Sequence, residues 1–143
     1  MRVLLWIFAV LMMFTVAAGA QEKPTKTIKH VPVTATSPTS GQDMFKAYCA
    51  VCHGIDGKGN GPAAPSLKVP PTDLTVLSKN SGGQFPDMKV ISIIRGEGNL
   101  AAHGTREMPV WGHLFWTMSH GHEGEVQQRV SNLTKYIESL QAK

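Results

Sequence analysis

Cys49-Ala50-Val51-Cys52-His53 sets two thiols three positions apart with a histidine directly after the second. Thiols at this spacing can add to the two vinyl groups of one porphyrin. The adjacent imidazole then lies on the porphyrin face, where it can bind iron, and C-x-x-C-H is the signal for that covalent attachment of haem. Three other chemistries use similar residues. A thioredoxin-like C-x-x-C follows a strand in a βαβ pattern, whereas Gly41 to Tyr48 reads as helix. A zinc site built from Cys49, Cys52, His120 and His122 would have histidines only two positions apart, tighter than the usual spacing. A simple disulfide leaves His53 without a role. Haem attachment uses all three side chains.

An iron that passes electrons needs a second axial ligand, because an open position admits oxygen or peroxide. Met44, Met88, Met108 and Met118 lie C-terminal to residue 40. Met44 stands five residues before Cys49 and reaches the opposite haem face poorly. Met88 opens an expected helix, where a methionine usually fills the core. Met108 stands in Arg106-Glu107-Met108-Pro109-Val110-Trp111-Gly112, outside any periodic segment. Pro109 fixes the following backbone and biases Met108 toward an extended conformation, leaving little entropy to lose on binding. Met108 is therefore the expected sixth ligand, with Met118, His103 and His113 as alternatives. A soft thioether favours the reduced iron and raises the potential above that of a bis-histidine site.

Gly41 to Leu140 resembles the class I, mono-haem c-type cytochromes. That family carries a glycine eight residues and an aromatic four residues before the first cysteine, matched by Gly41 and Phe45. Its C-terminal helix completes the contact with a Leu and an aromatic three apart, matched by Leu133 and Tyr136. A proline carbonyl twelve residues after the histidine accepts from the imidazole in the family, and Pro65-Ser66-Leu67 fits that spacing. Met108-Pro109, 55 residues after His53, is similar to the family's distal-ligand loop. The resemblance implies an all-α cytochrome c fold, with three main helices packed around one haem c held through Cys49 and Cys52, and long loops. It also implies single-electron transfer rather than enzyme catalysis.

Three helices are readable in the chain itself. The first runs from about Gly41 to Ala50 with Ser40 as N-cap. The second follows Phe85-Pro86, takes Asp87 as cap, carries Val90, Ile91 and Ile94 on one face and stops at Gly96. The third runs from about Glu123 to Gln141, where Val126, Val130, Leu133, Ile137 and Leu140 form one apolar stripe. Glu123 and Glu125 favour its start through the helix dipole. A short helical turn at Leu74 to Lys79 follows Asp73. Gly54 to Gly61 (GIDGKGNG) lacks the preceding strand and G-K-[ST] end of a phosphate loop, and reads as a wrapped turn that lets backbone approach the porphyrin edge. Trp111, Phe115 and Trp116 are expected to pack a dry pocket. Trp111 could also give its indole N–H to a haem propionate, with Arg95 or Arg106 balancing the charge.

The chain of 143 residues divides into three parts. Residues 1–20 read as a signal peptide, or an uncleaved membrane anchor: Arg2, then an uncharged run from Val3 to Val16, then Ala18-Gly19-Ala20 as a processing site. Residues 21–40 read as a flexible Pro/Thr/Ser linker, and 41–143 as the cytochrome domain. Export to the periplasm follows, with the inner membrane involved only if the N-terminal segment stays attached. Of the net charge of +4, Arg2 and the linker carry most. From Gly41 onward ten Lys or Arg face nine Asp or Glu, so no basic face for nucleic acid is present. The expected partners are redox proteins or a membrane respiratory complex. Two alternatives stand beside the carrier. One is a haem enzyme with a labile sixth ligand, such as a small peroxidase or a nitrite- or sulfur-oxidising cytochrome, recruiting His103 or Glu107. The other is a cytochrome subunit of a larger oxidase or dehydrogenase.

Overall fold

The computed structural model describes residues 33–97 and 108–142. The residues read above as a signal peptide, most of those read as a linker, His103, Arg106 and Glu107 lie outside them. Among the described residues there are helices and no strand, and no helix is long and apolar enough to cross a membrane.

The chain enters its first helical run at Ser40, whose extended backbone and side-chain oxygen, accepting from Asp43 N at 3.1 Å, make the expected N-cap. The run has three parts: α1 (Gly41–Met44), a π-helical turn (Phe45–Cys49) and α2 (Ala50–His53). The π-helical turn sits directly before the second thiol's turn of helix, and such turns are rare and concentrate at functional sites. Short 3₁₀ turns follow at Ala64–Ser66 and Leu74–Val76, the latter leading into α3 (Leu77–Asn80). Asp73 caps the Leu74–Val76 turn by accepting from Thr75 N at 2.8 Å, as the sequence indicates. The longer helices are α4 (Asp87–Arg95), α5 (Trp111–Met118) and α6 (Glu123–Ser139). Helix α4 is capped by Pro86 with Asp87 as its first residue, one position earlier than the cap expected at Asp87, and stops at left-handed Gly96.

Helix α6 buries Val126, Val130, Leu133 and Ile137 along the anticipated stripe. Against it lies α1. A Cβ on Gly41 would collide with the Asn132 carbonyl and come within 2.9 Å of the Tyr136 Cβ. Only glycine lets the two helices cross this closely. One turn on, Phe45 packs on Tyr136 with ring centroids 5.2 Å apart, and Leu133 is fully buried beside them. The four residues that carry the family resemblance at the helix crossing thus meet in space.

Two expectations need correction. Helix α5 is a fourth substantial helix where three were expected. Its start has no side-chain cap, since Val110 precedes it, and Gly112 and three aromatics depress its local propensity. Burial of Trp111 and Phe115, one turn apart, stabilises it instead. Trp116 lies on its other side, 47% exposed, and does not line the core.

The second correction concerns the linker, which is docked at its C-terminal end. Tyr48 Oη accepts from Thr36 N at 3.0 Å and donates to Thr34 O at 2.9 Å. Arg129 Nη1 donates to Thr36 O at 2.8 Å, and Asn132 Nδ2 to Pro38 O at 2.9 Å. These side chains supply partners for a backbone with no ladder of its own. Arg129, itself buried, is held by Glu125 at 2.7 Å in the same helix.

Candidate functional site

The C-x-x-C-H residues occupy the end of the first helical run, because α2 and the preceding π-helical turn put Cys49, Cys52 and His53 on one short helix. The thiols are not joined to each other: Cys49 is buried and Cys52 partly buried. Burial, with a smaller contribution from Cys52, pushes the Cys49 thiol up to about 12, so it keeps its proton at neutral pH. The helix ends at Gly54, and the glycine-rich segment then folds back along it. Gly59 N donates to His53 O at 2.8 Å, Gly61 N to Cys52 O at 3.0 Å and Ala63 N to Val51 O at 2.9 Å. A Cβ on Gly61 would press on the carbonyls of Ala50 and Val51. The wrapped-turn reading of GIDGKGNG therefore holds, and its function is to satisfy the last carbonyls of the helix that carries the motif.

His53 Nδ1 lies 2.9 Å from the carbonyl oxygen of Thr72. A carbonyl only accepts, so Nδ1 carries the ring hydrogen and Nε2 keeps a free lone pair. That is the arrangement in which a histidine ligates metal while a backbone acceptor fixes its tautomer. Burial holds the imidazole below its ordinary value, with the Thr72 bond opposing that effect. The neutral form is the one that binds iron.

The acceptor corrects the expectation for Pro65, which lies in the Ala64–Ser66 turn. Physical placement explains the difference. Leu74 N donates to Gly57 O at 2.7 Å, and Gly59 leaves no room for a Cβ beneath the Pro71 carbonyl. Residues 71–74 are thereby laid across the glycine-rich turn, which delivers the Thr72 carbonyl to the imidazole. The signal that could have found it was the same glycine loop, read as a contact surface rather than only as a turn.

Met108 is partly buried and packs against the core. Met118, the alternative sulfur, is also partly buried, and its Sδ lies 3.8 Å from Tyr48 Oη. Met118 is thus committed to the aromatic cluster, and Met88, 71% exposed, faces solvent. Met44 is completely buried in the helix crossing. Trp111 is buried, with its ring centroid 5.4 Å from Tyr48 and 6.2 Å from Phe115. Tyr48, which precedes Cys49, escaped notice in the sequence because a buried tyrosine has no motif of its own.

Arg95 is not free for an anionic ligand, as its Nη2 binds Glu123 at 2.7 Å and its Nη1 binds Glu97 at 3.2 Å. Among the described residues no cluster of three or more His, Cys, Asp or Glu side chains could hold a metal ion. The zinc alternative therefore lacks its ligands there. Two free thiols, a neutral imidazole with an open Nε2 and a backbone that comes close only through glycine fit a haem held covalently from one side. Comparison with known families shows that residues 38–141 match the family model for cytochrome c. Searches of curated proteins and of solved structures find no match.

Proposed function

The chain belongs to the cytochrome c family, and from that premise we propose that it is an exported carrier of single electrons. The family makes it a haem electron-transfer protein and implies haem c, and two free cysteines, Cys49 and Cys52, are present in the matched region. Our reading assigns covalent attachment to Cys49 and Cys52, the first axial ligand to His53 Nε2 and the second to the Met108 thioether. The haem, once bound, supplies a one-electron couple.

The bond from His53 Nδ1 to the Thr72 carbonyl carries this proposal most directly. It orients the ring and strengthens Nε2 as a donor, and it is a backbone contact that survives side-chain change. Met108 as second ligand would favour the reduced state and set a higher potential than a second histidine. Two strong ligands leave no open position for peroxide or nitrite, which is why the carrier is favoured over the haem enzyme. The leader-like residues 1–20 support the periplasm, or the outer face of the inner membrane, as the place of work. Redox proteins, or a membrane respiratory complex, are the partners proposed.

Expression with a c-type maturation system tests the attachment. Haem should stay with the polypeptide through denaturing electrophoresis and be lost from it in the Cys49→Ser, Cys52→Ser double variant. Release of all haem from the unaltered protein on denaturation would refute the assignment.

A further inference from the structure

Tyr48 occupies the joint between the two halves of the proposed ligand set. It sits in the π-helical turn Phe45–Cys49, immediately before the first thiol. Its ring lies 5.4 Å from Trp111 and 5.9 Å from Phe115, and its hydroxyl lies 3.8 Å from Met118 Sδ. Those three residues are spaced i, i+4 and i+7 along α5, so one side chain meets the whole inward stripe of that helix. Helix α5 in turn begins directly after Met108-Pro109-Val110, where the proline leaves little freedom between the methionine and Trp111.

The hydroxyl is fully used. It accepts from Thr36 N at 3.0 Å, donates to Thr34 O at 2.9 Å and pairs with Thr36 Oγ1 at 2.9 Å. A phenol with its donor and both acceptor sites engaged has one orientation. The docked segment at Thr34 to Thr36 therefore sets the ring, and the ring adds its contacts to the packing of α5 on α4 and α6.

We propose that Tyr48 is a positioning residue for the second axial ligand: it ties the helix bearing Cys49, Cys52 and His53 to the segment bearing Met108, and so determines how firmly the Met108 thioether is held. This rests on the assignment of Met108 made above. The residue touches neither iron nor substrate and acts through α5.

The test compares holoprotein variants in the oxidised state, following displacement of the thioether by added imidazole and, separately, unfolding by far-ultraviolet circular dichroism. Tyr48→Phe keeps the ring and removes the hydroxyl. It should bind imidazole about tenfold more tightly, the factor that loss of roughly one net hydrogen bond allows. Thr36→Val, which leaves Tyr48 intact and removes the Oγ1 contact, should show a smaller shift in the same direction. The control is Gln141→Ala. Gln141 bonds Ser78 N and Leu74 O, away from α5, so this variant should unfold more easily with unchanged imidazole affinity. Tyr48→Phe with the parent's imidazole affinity, or with a change no larger than that of Gln141→Ala, would overturn the proposal. If the unaltered protein lacked the weak red-end absorption band of iron(III) bound to sulfur, the Met108 assignment would fall and this role with it. Presence of the band with unmoved imidazole affinity would overturn the role of Tyr48 alone.

Discussion

At the scale of single residues, the site depends on where one hydrogen atom sits. Thr72 O takes it from His53 Nδ1, and Nε2 keeps the lone pair that the proposed iron ligation needs. Because the acceptor is main chain, Thr72→Val should leave the iron ligation spectrum unchanged, whereas Thr72→Pro, which disturbs the backbone approach to Gly59, should weaken it. Optical spectra of the two variants check this directly. The thiols and the histidine were legible in the sequence because their chemistry is local, five consecutive residues sharing one short helix. The acceptor was not legible, since it lies 19 residues away and reaches His53 only through loop packing. Pro65 matched a spacing and not a contact. Tyr48 was illegible for a related reason: what marks it is the meeting of three elements.

Helices behave similarly at the next scale. The crossing of α1 and α6 was readable from Gly41, Phe45, Leu133 and Tyr136, because glycine at a close approach and a regular apolar stripe are both sequence signals. Gly41→Ala should destabilise the fold by about 1–3 kcal/mol, since the new methyl group meets the Asn132 carbonyl. Leu133→Ala, at a fully buried position, should cost about 2–5 kcal/mol through lost burial and the cavity left behind. Urea unfolding of each variant gives the numbers, and a Gly41→Ala protein as stable as its parent would remove the crossing from the account. Helix α5 carried no such signal: no cap, a glycine in its first turn, and aromatics on opposite sides, of which Trp111 is buried and Trp116 exposed. Its helicity is a product of tertiary packing on Tyr48 and α6, which a one-dimensional pattern does not display.

For the molecule as a whole, charge and connectivity decide how it responds to acid. Glu125 is held below the ordinary carboxylate range first by its hydrogen bond to Arg129, Glu123 by Arg95, and Asp73 by Thr75. A carboxylate whose folded value is depressed contributes stability that is fully present above the ordinary value of 4.5 and lost as the pH falls through the folded one. Urea midpoints should therefore drop on going from about pH 6 to about pH 4 and below, with Glu125→Gln flattening part of that dependence. The Glu125 ion pair also bears on the docked linker end, because Arg129 holds Thr36 O. Arg129→Met should free the segment around Thr36 to proteolysis while the helices persist. The sequence read this stretch as linker from its composition, and composition describes residues 33–40 correctly as lacking a core of their own; it does not reveal that buried side chains from α6 and Tyr48 would grip their backbone.

The central claim is an iron bound by His53 and Met108 on a covalently attached haem. The oxidised absorption spectrum of the matured protein and of Met108→Ala tests it most directly. The account predicts covalent haem in both, the weak red-end band of iron(III)–thioether ligation in the unaltered protein, and its loss in Met108→Ala with ready binding of carbon monoxide to the reduced variant. Persistence of the band in Met108→Ala, or its absence from the unaltered protein together with ready carbon monoxide binding, would contradict the account.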